Sequence, residues 1–283
     1  MGYADVLPST TPRYEFKGIQ HCLQIVEGPD GEDEQDECNP YVIFTIDERS
    51  FLDCFLSSGE SSLRKAWEAY DPSTNELLIK VAESPGHAEG AGVFIELFGA
   101  WIRPSDPNYP LVNSTTRTFR GHSNREKKAV CSWVPKHSGL DGDWPTIAVE
   151  VAYSEPPAKM IGDVGFWLND CYGRVNYVVT INIQRRGRKV CIQQWEMRNG
   201  TPFPVQKMEI TKTPAPNCER IQGAIRLSFE DIHLRPRGQN DTDFTISHDD
   251  IEYLAAQVWD EQDKEEQRAA RRAARRAARR ASR

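Results

Sequence analysis

The sequence has no apolar run approaching the ~18 residues that a helix needs to cross a bilayer. Its opening, Met1 to Phe16, carries no basic segment followed by an apolar one. A membrane-spanning or secreted protein is therefore not expected. The Met-Gly-Tyr-Ala-Asp-Val start also lacks the Ser or Thr that a myristoylation signal prefers. An organised cysteine set is missing too. The seven cysteines are odd in number, widely spaced and never form C-x-x-C, which argues against a disulfide framework and against a zinc site. An intracellular, reducing setting (nucleus or cytoplasm) is the expectation, with the thiols serving as small hydrophobes.

What is present suits a large globular unit. Over 283 residues, 39% are hydrophobic and 10% aromatic, enough for a full-sized core. Net charge is −7, but residues 268–283 hold eight arginines and no acid, so −7 − 8 leaves −15 on residues 1–267. The body should repel a polyanion and the tail attract one. In the tail, RAARRAARRAARRASR, a four-residue repeat puts Arg268, Arg271, Arg272, Arg275, Arg276, Arg279 and Arg280 on one broad helical face and alanines on the other. Contact with nucleic acid, nuclear import and a solvated helix end are the three readings of such a segment.

Three segments are expected. Residues 1–40 read as an arm, with seven acids between Glu27 and Cys38 in a stretch too polar to build a core. Residues 41–246 read as an α/β domain, and 247–283 as a C-terminal helix running into the arginine tail, started by the capping pair Ser247 and Asp250. Within the domain, YVIFTI and LLIKVA read as strands. Apolar residues at helical spacing mark a helix over 86–102, introduced by Ser84-Pro85. Short strands follow at 115–119 and 129–134. Two buried strands, 146–154 and 175–183, flank a helix over 157–170, and a hairpin follows with KVCIQQWEM. A strand–helix–strand crossover implies a parallel pair, so the expected fold class is α/β (α+β), a mixed central sheet flanked by helices with an added hairpin region.

One strand carries chemistry. Along 146–154, Ile147, Val149, Val151 and Tyr153 point one way and Ala148, Glu150, Ala152 and Ser154 the other. Glu150 thus sits among small neighbours in an apolar run. A carboxylate there is paired, protonated or metal-bound, or else it lies near an exposed strand end.

The order of AYDPSTNELLIK (69–80), GHAEG (86–90), CSWVP (131–135), WPTIAVEVAYSE (144–155), WLND (167–170), VVTINI, IQQWE, LSFEDIHLRP (227–236) and AAQVW resembles the restriction-endonuclease-like superfamily, signature PD-(D/E)XK. Within it, the chain is similar to an uncharacterised, mostly fungal group related to a bacterial endonuclease-like family. The likeness spans roughly residues 40–260. It implies Mg²⁺-dependent phosphodiester cleavage, with carboxylates holding the metal and a lysine positioning the attacking water. On this resemblance Glu150 is the central acid. The upstream Pro-Asp pair is replaced by Ala129 and Val130, and the E-x-K lysine by Ala152. Glu150-Val-Ala-Tyr-Ser154 is one residue longer than the E-x-x-S variant of the bacterial group. Lys159 is the candidate for a migrated catalytic lysine, against the reading of a solvated helix lysine. Asp141 and Asp143 are the candidates to replace the lost metal ligand, against ordinary loop duty. His87 reads as a hydrogen bonder at the helix start and Glu96 as a residue on its exposed face. The resemblance thus implies a degenerate nuclease, and the alternative is a non-catalytic module that binds nucleic acid or a protein through the arginine tail.

Overall fold

The computed structural model describes residues 3–27, 40–57, 66–81, 84–103, 110–115, 117–136 and 144–281. In chain order the helices are α1 (Tyr3–Val6), α2 (Ile19–Glu27), α3 (Glu48–Phe51, continued by one wide π turn), α4 (Pro85–Ile102), α5 (Pro157–Asn169), α6 (Phe229–His233) and α7 (His248–Ala281). The strands are β1 (Arg13–Glu15), β2 (Tyr41–Thr45), β3 (Trp67–Asp71), β4 (Glu76–Lys80), β5 (Leu111–Asn113), β6 (Thr118–Arg120), β7 (Glu126–Lys128), β8 (Cys131–Pro135), β9 (Ile147–Tyr153) and β10 (Tyr177–Gln184). They continue with β11 (Lys189–Arg198), β12 (Thr201–Thr211), β13 (Ile221–Gly223), β14 (Ile225–Leu227) and β15 (Phe244–Ile246). The molecule is a mixed α/β protein in which sheets are flanked by helices.

The central sheet has seven strands in the order β13-β12-β11-β10-β9-β8-β5. β9 and β10 pair in parallel, Ile147 with Tyr177 through Tyr153 with Ile183, while β8 and β11 join them antiparallel. The parallel pair is bridged by α5, as the two apolar strand patterns around one helical pattern predict. Ile147, Val149 and Val151 pack with Phe94 and Phe98 of α4 and with Leu254 and Val258 of α7. On the opposite face, Ala148 meets Val164 and Trp167 of α5. Glu150 lies on that α5 face because side chains alternate along a strand.

A second sheet has six strands in the order β1-β2-β4-β3-β7-β6. One of its faces, with Phe44, Trp67 and Ile79, covers Cys22 of α2 and Phe51 of α3. Its other face, with Tyr41, Ile43 and Leu78, takes Tyr3 and Leu7 from the start of the chain and approaches α5. Helix α5 is therefore enclosed between two sheets, and it buries charged as well as apolar residues: Lys159 and Asp163 beside Met160, Val164 and Trp167.

Several segments depart from the sequence expectations. The arm is not separate, because β1 pairs with β2 and Cys22 is buried; its acidic stretch, residues 28–39, lies outside the described residues. The expected strand 129–134 is β8, starting two residues later, and the short β7 just before it was not expected. β7 belongs to the six-stranded sheet and β8 to the seven-stranded one, with the bend at Ala129–Val130. Periodicity cannot register such a change of sheet. The segment after the hairpin forms the long β12, which pairs with β11 across an irregularity at Gln194/Trp195, where Pro204 faces Trp195.

The α4 side of the core depends on an aromatic stack. Phe98 has no exposed surface, and its ring centroid lies 4.3 Å from that of Trp133 and 4.9 Å from that of Phe244. Phe98→Ala should therefore cost about 3–5 kcal/mol through lost contacts and a cavity. Urea unfolding reads this directly, and a loss below ~1 kcal/mol would mean that the site collapses freely.

Candidate functional site

The site forms where α5 is held between the two sheets. Glu150 comes from β9, Lys159 and Asp163 from α5, Glu68 from β3, Lys127 from β7, Lys80 from the end of β4, and Glu155 from the turn after β9. Glu150, Lys127, Lys159 and Asp163 are all buried. The Lys127 ammonium stands at the centre. Its Nζ lies 2.9 Å from Asp163 Oδ1, 3.4 Å from Glu150 Oε1 and 3.5 Å from Glu68 Oε1. Lys159 Nζ lies 2.8 Å from Asp163 Oδ2 and 3.5 Å from Glu155 Oε2, and it also bonds Glu68. Asp163 thus gives one oxygen to each lysine. Lys80 completes the set at 3.4 Å from Glu155, and the Tyr41 ring lies 4.9 Å from Lys159 Nζ.

Glu150 has a further partner. The indole N–H of Trp167, on the last turn of α5, donates to Glu150 Oε1 at 2.6 Å. Ion pairs and this bond satisfy the carboxylate that the sequence placed among apolar neighbours. Removing one partner from such a buried set leaves an uncompensated charge, at a cost of about 3–5 kcal/mol.

The proton inventory follows from the charges. Four carboxylates (Glu68, Glu150, Glu155, Asp163) meet three ammonium groups (Lys80, Lys127, Lys159), and −4 + 3 = −1. Burial pushes Glu150 up from 4.5 to about 7, with Lys127 opposing and Asp163 reinforcing the shift. Burial would also lift Glu68, but Lys159, Lys127 and Lys80 override it and hold that carboxyl below the usual range. Burial would lower Lys127, yet Asp163, Glu150 and Glu68 raise it above the ordinary lysine value. Lys159 is raised in the same way by Asp163, Glu155 and Glu68. Both lysines are held as cations, and of the carboxyls whose values shift, Glu150 is the one that burial moves toward its protonated form.

The other sequence candidates fall in different places. Lys159 does join the Glu150 cluster, as an ion-pair partner of Asp163, Glu155 and Glu68. Asp141 and Asp143 lie outside the described residues. Continuing the Cys131–Val149 register brings Val130 level with Glu150, but Val130 packs toward the α4 side of the sheet. Ser154 follows β9 with φ +58°, and its Oγ accepts from Arg185 N at 3.3 Å. His87 and Glu96 belong to α4, across the sheet from Glu150. Ser84 caps that helix by accepting from His87 N at 3.1 Å, and Glu96 accepts from Tyr253 at 3.3 Å. Arg268, Arg271, Arg272 and Arg275 are exposed on α7, which continues through Arg276, Arg279 and Arg280.

Sequence reading passed over Glu68, Lys127, Asp163 and Glu155. The available signal was the Lys159–Asp163 pair, four residues apart on a helix that is apolar on its other sides.

The fit to Mg²⁺ can be judged from the donors. Mg²⁺ takes oxygen ligands in near-octahedral geometry and keeps several waters. The Asp163 and Glu68 carboxylates stand near Glu150, but the Lys127 ammonium lies among all three and the Trp167 indole N–H bonds Glu150, and both compete with a cation for these oxygens. Among the described residues, no group of three or more His, Cys, Asp or Glu is arranged to hold a metal ion. These donors do not fit Mg²⁺.

Comparison with known proteins adds little. No family model matches the chain, and no curated protein matches it. One solved structure that resembles it is described as "a putative nuclease belonging to DUF820" from Anabaena variabilis ATCC 29413. It is 10% identical, with a TM-score of 0.38, over 58% of this chain and 88% of that one. A likeness at that level leaves the site to be read from this chain's own geometry. Among the described residues no helix is long and apolar enough to cross a membrane.

The raised Glu150 carboxyl gives a signed pH effect. Its folded value, about 7, lies above the ordinary 4.5, so the unfolded chain gives up this proton first. The stability that the bound proton contributes is present at low pH and is lost as pH rises through about 7. Glu150→Gln keeps an acceptor for Trp167 and cannot ionise. Relative to wild type it should gain on the order of 1–3 kcal/mol between mildly acidic and mildly alkaline buffer. Paired denaturation curves at the two pH values test this, and a difference independent of pH would contradict the protonated carboxyl.

Proposed function

We propose that this chain is a restriction-endonuclease-like domain that has lost phosphodiester cleavage and serves as a nucleic-acid-associated binding module. The supporting arrangement is a helix, three strands, a helix and a strand (α4, β5, β8, β9, α5, β10) around a parallel β9–β10 pair, with the lone acid of β9 facing α5.

The observation that carries the loss of cleavage is the position of Lys127. Its ammonium, 1% exposed as a residue, sits between Glu150, Asp163 and Glu68, where a nuclease of this kind would place a hydrated cation. A metal nuclease needs its central acid open to the metal, the attacking water and the scissile phosphate. Here Glu150 is covered by Lys127 and Trp167. The lysine supplies the positive charge that the carboxylates need, but it brings no water to activate and leaves no room for phosphorus. Lys159, the candidate catalytic lysine, is committed to the same ion set.

The binding half of the proposal rests on charge. The exposed arginines of α7 present a basic end on a body of charge −15 (residues 1–267, by the subtraction above). Arginines on an extended segment neutralise phosphates and release counterions, so binding weakens with salt and carries no base information.

One titration examines both halves. A labelled DNA duplex is mixed with the full chain, or with the chain ending at residue 267, in Mg²⁺ buffer across a salt series. The expected result is no cleavage product from either, with binding at low salt that depends on residues 268–283. Mg²⁺-dependent cleavage abolished by Glu150→Ala would overturn the non-catalytic reading. Equal affinity and salt slope for the two chains would overturn the role of the tail.

A further inference from the structure

The arginine repeat is the end of a helix whose first part is locked into the core. Ile251, Leu254, Ala255, Val258 and Trp259 of α7 are buried against α4 and the central sheet. Among the described residues, the last buried one is Gln262. A clasp then fixes the helix direction. Arg188, in the β10–β11 turn, lies 2.8 Å from both Asp263 and Glu266 and donates to the Trp259 carbonyl at 3.1 Å. Tyr153 donates to Glu265 at 2.8 Å. Past Glu266 the helix continues unbroken to Ala281, and every described side chain there is exposed.

We infer that this projecting helix seats in the major groove of B-form duplex DNA. The inference rests on the polyanion reading above and narrows it to one class of nucleic acid. Residues 267–281 extend about 22 Å at ~1.5 Å per residue. At ~100° per residue, arginine positions spaced by three and one occupy roughly half the helix circumference. A single line of phosphates cannot meet so wide a face, whereas the two walls of a groove flank it on both sides. Alanine fills the remaining positions, so the rod is slender enough for a groove about 12 Å wide.

Other nucleic acids fit less well. Non-specific single-strand binding relies on aromatic side chains that stack with bases, and Trp259 is the last aromatic residue in the sequence. The major groove of A-form RNA is deep and narrow, closed to such a helix. The acidic run Asp260–Glu266 sits between the basic end and the body. It keeps phosphates on the projecting part, since like charges repel along the rest of the helix.

The test uses the full-length protein and fluorescence anisotropy with three probes: a mixed-sequence DNA duplex, one of its strands, and an RNA duplex of the same sequence. Two variants accompany it. Ala273→Pro keeps every arginine but breaks the exposed helix, where proline costs ~3 kcal/mol. A quadruple change of Arg268, Arg271, Arg272 and Arg275 to Gln keeps the helix and removes charge. Circular dichroism and thermal melting confirm that the body of each variant is folded. The expected result is that duplex DNA binds at least about tenfold more tightly than the other probes, and that Ala273→Pro lowers its affinity to the single-strand level. Equal affinity for all three probes, or duplex binding untouched by Ala273→Pro, would overturn groove seating while the quadruple variant still loses binding. If the quadruple variant binds every probe as wild type does, the polyanion reading fails as well.

Discussion

The contact between the Lys127 ammonium and the carboxylates of Asp163, Glu150 and Glu68 is the constraint on which the two-sheet architecture depends. It joins three bodies at one point: β7 and β3 of the six-stranded sheet, β9 of the seven-stranded sheet, and α5 between them. A buried ion set of this kind contributes little net stability, because desolvation offsets much of the attraction. It acts instead on specificity of arrangement. Any register of α5 that separated Asp163 from Lys127, or Lys159 from Glu68, would leave charges buried without partners.

The bend at Ala129–Val130 makes that contact feasible. A straight strand from 126 to 134 would leave Lys127 in the plane of the central sheet. By changing sheets between β7 and β8, the chain sends Lys127 back toward Glu150 from the other side of α5. Ala129 and Val130, which the resemblance aligns with the Pro-Asp pair of the nuclease signature, are thus the hinge that delivers a lysine. On the proposed function, a lost metal ligand and the arriving ammonium are two results of one local geometry. Trp167 then closes the remaining side of Glu150, and the aromatic layer of Phe119, Trp144 and Phe166 covers Trp167 in turn.

Much of the central unit was legible in the sequence, since it is built from strong local patterns. The alternation of 146–154, the helical spacing of 157–170 and the apolar run of 175–183 lead to the β9–α5–β10 crossover. One charged residue in an apolar strand marks Glu150. Apart from Lys159, the charged groups around that residue were not legible, because the cluster joins residues far apart in sequence: Lys127 to Glu68 across 59 positions and Lys159 to Glu68 across 91. No periodicity marks a three-residue strand such as β7 or encodes which sheet it joins, so only β8 was read. β12 carries Pro202 and Pro204 and looks unlike a strand, yet the antiparallel pairing with β11 accommodates both. The elements of residues 3–27 are too short to persist alone and form by packing on β2.

On the proposed function, Lys127 stands in the place of a metal. Thermal unfolding of the wild-type chain with a chelator, with Mg²⁺ and with Mn²⁺, beside Lys127→Ala under the same conditions, tests it most directly. Ligand that binds only the folded state raises stability by mass action. The account predicts a wild-type midpoint that is the same in all three buffers. It also predicts a Lys127→Ala protein destabilised by about 3–5 kcal/mol, from the carboxylates left without their cation, and partly recovered by Mn²⁺. A wild-type midpoint that rises with Mg²⁺ or Mn²⁺, and loses that rise in Glu150→Gln, would contradict it.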